Sequence, residues 1–322
     1  MEKIAVLAVV GPTASGKTGL GVELARRVGG EVVSCDSMQI YKTMNVATAK
    51  PTKEEMQGVP HHLIDILPPE TPFSLAEYLN LAEKTIKEIH ARGKVPVLVC
   101  GTGLYVDTLF QGVQLCDQGE DAAYRAEMAA LAEREGSGAL MEKLRACDPG
   151  YAATVHQNNI PRLIRALEVY HTTGIPMSVH IQRSRDGESR YEPLWLGLRY
   201  RDRSVLYDRI NRRVDLMLEQ GLLEEAKAAY ETRMSTAAQA IGCKELYPYF
   251  EGEKSLDECV ETLKRSTRRY AKRQLTWFRR NEAIHWLEPD AMTGDELVEK
   301  AIDIIQESNL FPVSKNDEDL PL

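Results

Sequence analysis

The sequence predicts an α/β protein: a mainly parallel sheet with helices on both faces and an inserted all-helical domain. Three observations predict it. In the first part of the chain, apolar β-rich runs alternate with helical periodicity, which implies right-handed crossovers between parallel strands. The first strand ends in a glycine-rich loop that opens a helix, so the core is of the P-loop NTPase-like kind. From residue 121 to about 183 only helical patterns are found, and strand character returns at 194–200.

Residues 3–10 form an apolar run that ends at Gly11 and read as a buried strand. Residues 16–28 follow with Leu20, Leu24 and Val28 spaced four apart, the stripe of a helix. A second strand covers 31–35. Ser74 with Glu77 three residues on makes a capping box, and Gly93 marks the end of that helix. Residues 95–100 are another apolar strand, followed by Gly101-Thr102-Gly103 and a helix. Helical patterns at 122–135, 139–146 and 161–172 make up the insertion. Helices at 204–230 and 255–280, a short strand at 283–287 and a last helix at 295–308 complete the chain. The expected division is a core of 1–115 with 194–312, an insertion of 116–193 and a flexible tail of 313–322.

Composition narrows the function. An apolar fraction of 43% and a charged fraction of 27% suit a globular protein, and no apolar run approaches a membrane span. The run after Met1-Glu2-Lys3 leads into the glycine-rich loop rather than a cleavage site, so a cytoplasmic location is expected. Six cysteines lack any CxxC pair or Cys/His cluster, which argues against structural zinc and a disulfide framework. The net charge of −8 discourages nucleic acid as a partner, yet eight Lys and Arg lie between Lys264 and Arg280 with no acid among them. Such a segment attracts phosphates locally.

Gly11-Pro12-Thr13-Ala14-Ser15-Gly16-Lys17-Thr18 satisfies the P-loop pattern. Its backbone N–H groups converge on phosphate oxygens, Lys17 neutralises the terminal phosphate, and Thr18 can ligate Mg²⁺. Triphosphatases, kinases and diphosphate-using transferases all use such a loop. A triphosphatase also needs a strand ending in a metal-binding Asp. Here the strand at 95–100 ends in Cys100-Gly101-Thr102, and Asp65 is the substitute at hand. Asp36 closes the second strand and points into the crevice where open α/β sheets bind ligands. It can take a proton from a nucleophile, or it can simply cap a turn.

Asp36-Ser37-Met38-Gln39-Ile40-Tyr41, Asn45-Val46-Ala47-Thr48-Ala49-Lys50-Pro51, Pro60-His61-His62-Leu63-Ile64-Asp65 and Gly101-Thr102-Gly103-Leu104-Tyr105 follow the P-loop in order. Arg162-Leu163-Ile164-Arg165-Ala166-Leu167-Glu168-Val169, Gln239-Ala240-Ile241-Gly242 and Arg269-Tyr270-Ala271-Lys272-Arg273-Gln274 come later. Together they resemble the bacterial-type tRNA dimethylallyltransferases over about residues 3 to 309. The P-loop is generic; the 36–41, 60–65 and 269–274 stretches are specific.

The resemblance implies transfer of a dimethylallyl group from its diphosphate to N6 of the adenosine 3′-adjacent to the anticodon in tRNA. It implies Asp36 as base, with Thr102 near the reacting centre and Lys17 on the leaving group. Arg213 matches a diphosphate-contacting arginine, and Arg209, four residues before it on one helix face, could join the clamp. The implied tRNA contacts are Asp36, Ser37, Met38, Gln39, Thr102, Arg125, Pro161, Arg162, Leu163, Ile164, Arg165, Gln239, Ala240, Ile241, Gly242, Cys243 and Lys244. Arg269, Lys272 and Arg273 would hold backbone phosphates, whereas Trp277 and Phe278 are expected to pack the helix. Expected partners are a tRNA anticodon stem-loop and dimethylallyl diphosphate with Mg²⁺; no membrane is expected, and the protein is expected to be a monomer.

Two departures stand out. Asn158-Asn159-Ile160-Pro161-Arg162 lacks the glutamine that members commonly carry, and Cys243 stands where many have tyrosine. The zinc-finger extension of eukaryotic members is absent. The competing readings are an ATP-dependent small-molecule or nucleotide kinase and a non-catalytic RNA-binding protein.

Overall fold

The computed structural model describes residues 3–113, 121–185, 189–232 and 240–313. The chain divides into two compact units, Met1–Phe110 with Arg190–Leu322, and Gln111–Ser189.

The larger unit is built on six parallel strands: β1 (Ile4–Val10), β2 (Gly30–Cys35), β3 (His61–His62), β4 (Val95–Cys100), β5 (Tyr191–Leu198) and β6 (Ile284–Leu287). Their order is β3-β2-β4-β1-β5-β6. β1 is apolar throughout because both of its faces are covered. Val6, Ala8 and Val10 pack with α3 (Leu75–Ala91) and α4 (Gly103–Phe110). Leu7 and Val9 pack with α1 (Lys17–Arg27) and the C-terminal helix α14 (Gly294–Ser308). α2 (Lys53–Met56) is a single turn before β3.

Helix starts obey local chemistry. Ser74 Oγ accepts the Glu77 N–H at 3.2 Å, while Glu77 accepts the Ser74 N–H at 2.7 Å, a reciprocal box that satisfies two otherwise orphaned donors. The expected helix over 204–230 is instead two, α10 (Arg203–Glu219) and α11 (Leu222–Glu231). Gly221 sits between them at φ 96°, a left-handed conformation that ends the first helix. α12 (Tyr247–Phe250) leads to α13 (Leu256–Phe278), which brings Phe278 into the core.

The smaller unit is helical: α5 (Ala122–Glu135), α6 (Ser137–Cys147), α7 (Pro149–Ala152), α8 (Ile160–Thr173) and α9 (Met177–Arg185). Met128, Leu140, Leu144, Leu163 and Leu167 form its own core. None of the described helices is long and apolar enough to cross a membrane.

Gly103 has a packing role that the turn reading of Gly101-Thr102-Gly103 does not reveal. A Cβ there would lie 2.1 Å from Trp277 Cδ1, so the indole of α13 seats directly on the backbone of α4. Trp277 Nε1 donates to Asp107 Oδ2 at 2.6 Å, and Arg280 covers the ring at 4.0 Å. Overpacking at such a contact costs about 3 kcal/mol. Gly103→Ala should therefore lower the urea unfolding midpoint by that equivalent, with the slope unchanged.

Candidate active site

Register aligns the chemistry. Val10 pairs with Cys100, and Cys100 pairs with Cys35, across three neighbouring strands. The residues that follow this row are Gly11, Gly101 and Asp36. The phosphate loop, the Thr102 turn and the carboxylate therefore stand side by side at the carboxyl edge, where parallel sheets bind ligands. At about 4.8 Å per strand, Asp36 lies two strands, or roughly 10 Å, from the loop along the edge.

The loop itself is held from behind. Ala14 and Gly16 adopt φ 61° and 91°, which turns successive amides inward. The Tyr200 hydroxyl donates to Ser15 O at 3.3 Å, and Arg209 Nε to Ala14 O at 3.0 Å. Arg209 thus braces the loop backbone as well as lining the cavity beside it. Ser15 Oγ is buried in that loop without a hydrogen-bond partner, an orphaned donor that a phosphate oxygen would satisfy.

Two cavities adjoin the loop. One of about 700 Å³ is faced by Ala14, Ser15, Gly16 and five cations: Lys17, Lys50, Arg209, Arg212 and Arg213. Glu55 is the acid in its wall. The other, about 340 Å³, combines Asp36 with apolar groups such as Val99, Ile210, Val214, Leu263 and Tyr270. Ala14, Lys17, Thr18, Ala49, Arg213 and Met217 line both. The arrangement fits a molecule with a polyanionic end and an apolar end.

Burial lowers the Lys17 pKa to about 8; Arg213 adds to the effect and Asp36 opposes it. Burial also lowers the Arg213 pKa, against the pull of Glu55 and Asp36. Desolvated cations gain most when an anion arrives. Asp36 caps the turn after β2, one of the two readings open to it. Its Oδ1 accepts the Met38 N–H at 2.8 Å and the Gln39 N–H at 3.4 Å. That leaves Oδ2 for a ligand in the cavity that Asp36 lines. Thr102 does not face either cavity; its hydroxyl is buried without a well-formed hydrogen bond, beside the Tyr270 phenol. Burial raises the pKa of that phenol and keeps it neutral.

Of the other expected residues, Thr13, Ser37, Met38, Gln39, Ala240, Ile241, Lys244 and Arg273 line the cavity that holds Asp36. Gln39 already donates to Thr48 O and Ala49 O and accepts from Ser34 Oγ, so its amide shapes the wall. Gly242 donates its N–H to Glu245 at φ 119°. Cys243 is buried, and burial pushes its thiol up to about 12; only its backbone is left for a partner. Gln239 lies outside the described residues. Arg269 and Lys272 are exposed on α13. In the helical unit Pro161 and Arg162 are exposed, Ile164 packs on the core and Leu163 is fully buried. Glu168, with no exposed side chain, binds Arg125 Nε at 2.8 Å and Arg165 Nη1 at 2.6 Å. Both arginines are therefore held in place and partly neutralised.

Asp65 is tied to Lys50 at 2.7 Å and takes no part in either cavity. His62 binds Glu31, which also holds Arg92; this motif anchors the edge strand. Arg212, Lys50, Tyr270 and Gln274 also face the cavities, although none of them is named from the sequence as a site residue. Arg212 is legible beside Arg209 and Arg213; the others depend on contacts distant in sequence.

Residues 39–281 match the family described as IPP transferase, and residues 4–66 the family described as isopentenyl transferase. The chain belongs to the IPP transferase family. It is 51% identical over 289 residues to a tRNA dimethylallyltransferase of Geobacillus thermodenitrificans, covering 89% of this chain and 90% of that protein. The tRNA dimethylallyltransferase of Bacillus subtilis is 48% identical over 299 residues, with 92% and 95% covered. Among solved structures it is similar to the full-length tRNA isopentenylpyrophosphate transferase of Bacillus halodurans. That match has a TM-score of 0.71 at 46% identity, covering 95% of this chain and 96% of the other. A eukaryotic dimethylallyltransferase acting on tRNA matches with a TM-score of 0.76 at 28% identity, over 98% and 82%.

Lys17 gives a pH dependence whose sign follows from its charge. It is cationic below pH about 8 and neutral above, so anion binding weakens as pH rises through that value. Calorimetric titration with inorganic diphosphate should show affinity falling by up to about tenfold per pH unit there. In Lys17→Arg, whose guanidinium stays charged, the titration of diphosphate itself remains and this added decline disappears.

Proposed function

We propose that the protein transfers a dimethylallyl group from dimethylallyl diphosphate to N6 of the adenosine 3′-adjacent to the anticodon in tRNA. The observation that carries this reading is the shared wall of the two cavities, with Lys17 and Arg213 between a basic chamber and an apolar one holding Asp36. An allylic diphosphate has this division of character. Its phosphates suit the loop and the arginines, and its prenyl chain suits the apolar side.

In the proposed reaction the N6 lone pair attacks C1, the C1–O bond breaks, and diphosphate leaves with the bonding electrons. The N6 proton passes to Asp36 Oδ2. Charge grows on the leaving group, where Lys17, Arg213 and the loop amides are already oriented. A flipped adenine meets Asp36 in the narrower cavity, with Tyr270 beside it. Flipping costs a few kcal/mol of stacking, which Arg269, Lys272 and Arg273 offset through backbone phosphates. Arg125, Arg162 and Arg165 of the helical unit supply further RNA contacts in this reading.

The donor set fits Mg²⁺. Thr18 lines both cavities at the start of α1, and this ion takes few protein ligands and several from phosphates and water. Thr18 would hold it, and the bound ion would add positive charge at the departing diphosphate. The protein is proposed to act as a cytoplasmic monomer.

A kinase reading finds less support. β4 ends without an acid, and Asp65 is occupied by Lys50. The test is incubation with unmodified tRNA, dimethylallyl diphosphate and Mg²⁺. Prenylated adenosine is expected; phosphate transfer from ATP without any prenyl adduct would overturn the assignment. Asp36→Asn keeps the acceptor for the Met38 N–H but removes the base, so kcat should fall about 10² to 10⁴-fold with tRNA affinity nearly unchanged. Equal losses in both would make Asp36 a binding residue.

Salt dependence tests the RNA surface. Removing a cation that neutralises one phosphate should reduce the slope of log K against log salt by roughly 0.7 to 0.9. Replacing Arg269 and Lys272 with alanine should therefore weaken stem-loop binding most at low salt, with the curves converging at high salt. Parallel curves would assign those side chains to packing.

A further inference from the structure

Gln274 is a buried polar side chain in the wall of the Asp36 cavity, and the proposed chemistry leaves it without a role. Both ends of its carboxamide are engaged. Oε1 accepts the Thr13 N–H at 2.8 Å, and Nε2 donates to Gly101 O at 2.8 Å. Thr13 belongs to the phosphate loop after β1, and Gly101 to the turn after β4 that carries Thr102. The fit is close: a Cβ at 101 would come within 2.8 Å of Nε2, so the carboxamide would have to shift. A neutral amide accepts at one end and donates at the other, and this pair of backbone partners needs both.

We propose that Gln274 is a positioning residue for the transfer, stapling the phosphate loop to the Thr102 turn and so fixing the leaving group relative to the acceptor. This rests on the prenyl-transfer reading. The staple reaches the site from α13, where Tyr270, one turn earlier, adjoins Thr102, and Trp277, nearly one turn later, seats on Gly103. α13 therefore lies along the Thr102 turn from Tyr270 to Trp277, and Gln274 is where it also grips the loop. The role is geometric: Gln274 neither transfers a proton nor carries charge.

Two variants separate positioning from plain stability. Gln274→Met keeps length and apolar bulk but loses both hydrogen bonds. A displacement of about 1 Å at a reacting centre costs about a hundredfold, so kcat should fall by that order while the KM for tRNA stays within a factor of about three. Gln274→Glu gives the sharper readout. Ionised, its carboxylate cannot donate to Gly101 O; protonated, the carboxyl reproduces the donor and acceptor of the amide. Burial against a carbonyl oxygen, with Asp36 in the same wall, raises the pKa of a carboxyl there, while Lys17, Arg213 and Arg273 in that wall oppose the rise. Its kcat relative to wild type at the same pH should rise at least about tenfold between about pH 8 and pH 5.5, titrations common to both enzymes cancelling.

A ratio that stays flat with pH, or Gln274→Met kinetics within twofold of wild type, would overturn the positioning role. The Gln274→Glu profile is read within one folded protein, verified by tRNA binding, so it decides the matter even where the Met variant fails to fold. A wild-type protein that makes no prenylated RNA would overturn the function and this role with it. An active wild type matched by both variants would overturn this role alone.

Discussion

A lysine ammonium drawn out of water governs this site. Burial pulls the Lys17 pKa to about 8, and Arg213 beside it pushes the same way. Two cations in one partly desolvated wall repel each other, and Asp36 compensates only in part. The wall is therefore preorganised for an anion: an arriving anion supplies the countercharge the wall lacks, at little reorganisation cost. It also accounts for the bracing around the loop. Arg209, Tyr200 and Gln274 all bind loop backbone, holding in place amides and cations that would otherwise relax away from one another.

The sheet supplies the second constraint. Because β4 lies between β2 and β1, the carboxylate, the threonine turn and the phosphate loop occupy three consecutive strand ends. Carboxylate, threonine turn and phosphate loop are laid out in that order along the edge, at strand spacing. Sequence order is different: loop, carboxylate, threonine turn. The crossover topology rearranges them, and helices α3 and α1 on opposite faces bury the strands that do so.

Much of this is legible in local signals. Strand ends, the phosphate loop, the Ser74 capping box and the helical stretch after residue 121 all depend on residues close in sequence. What escapes depends on distance. Gln274 meets Thr13 across 261 positions, so the packing expected of α13 does not show which loop its buried amide would hold. Gly221 is invisible as a break because the apolar stripe resumes after it. The histidines at 61 and 62 carry family resemblance yet serve an edge strand. Leu163 and Cys243 show the same limit from the other side, since a motif names a position without saying whether its side chain is buried.

The net charge of −8 then takes on a different meaning. Acids of this protein are spent on its own cations: Glu168 holds Arg125 and Arg165, Asp215 holds Lys264, and Glu288 holds Arg199 and Arg201. A long flexible cation that is pinned loses less rotamer freedom when a phosphate arrives, though pairing weakens its charge. The acidic total would repel RNA at long range, but that field is screened beyond about 8 Å in physiological salt. Inside that distance the local arrangement decides. The outer face of α13 presents Arg269 and Lys272 exposed, while its inner face holds Tyr270 and Gln274 against the Gly101–Thr102 turn. One helix thus joins the surface suited to RNA phosphates to the loop suited to diphosphate, and an overall negative charge is compatible with both.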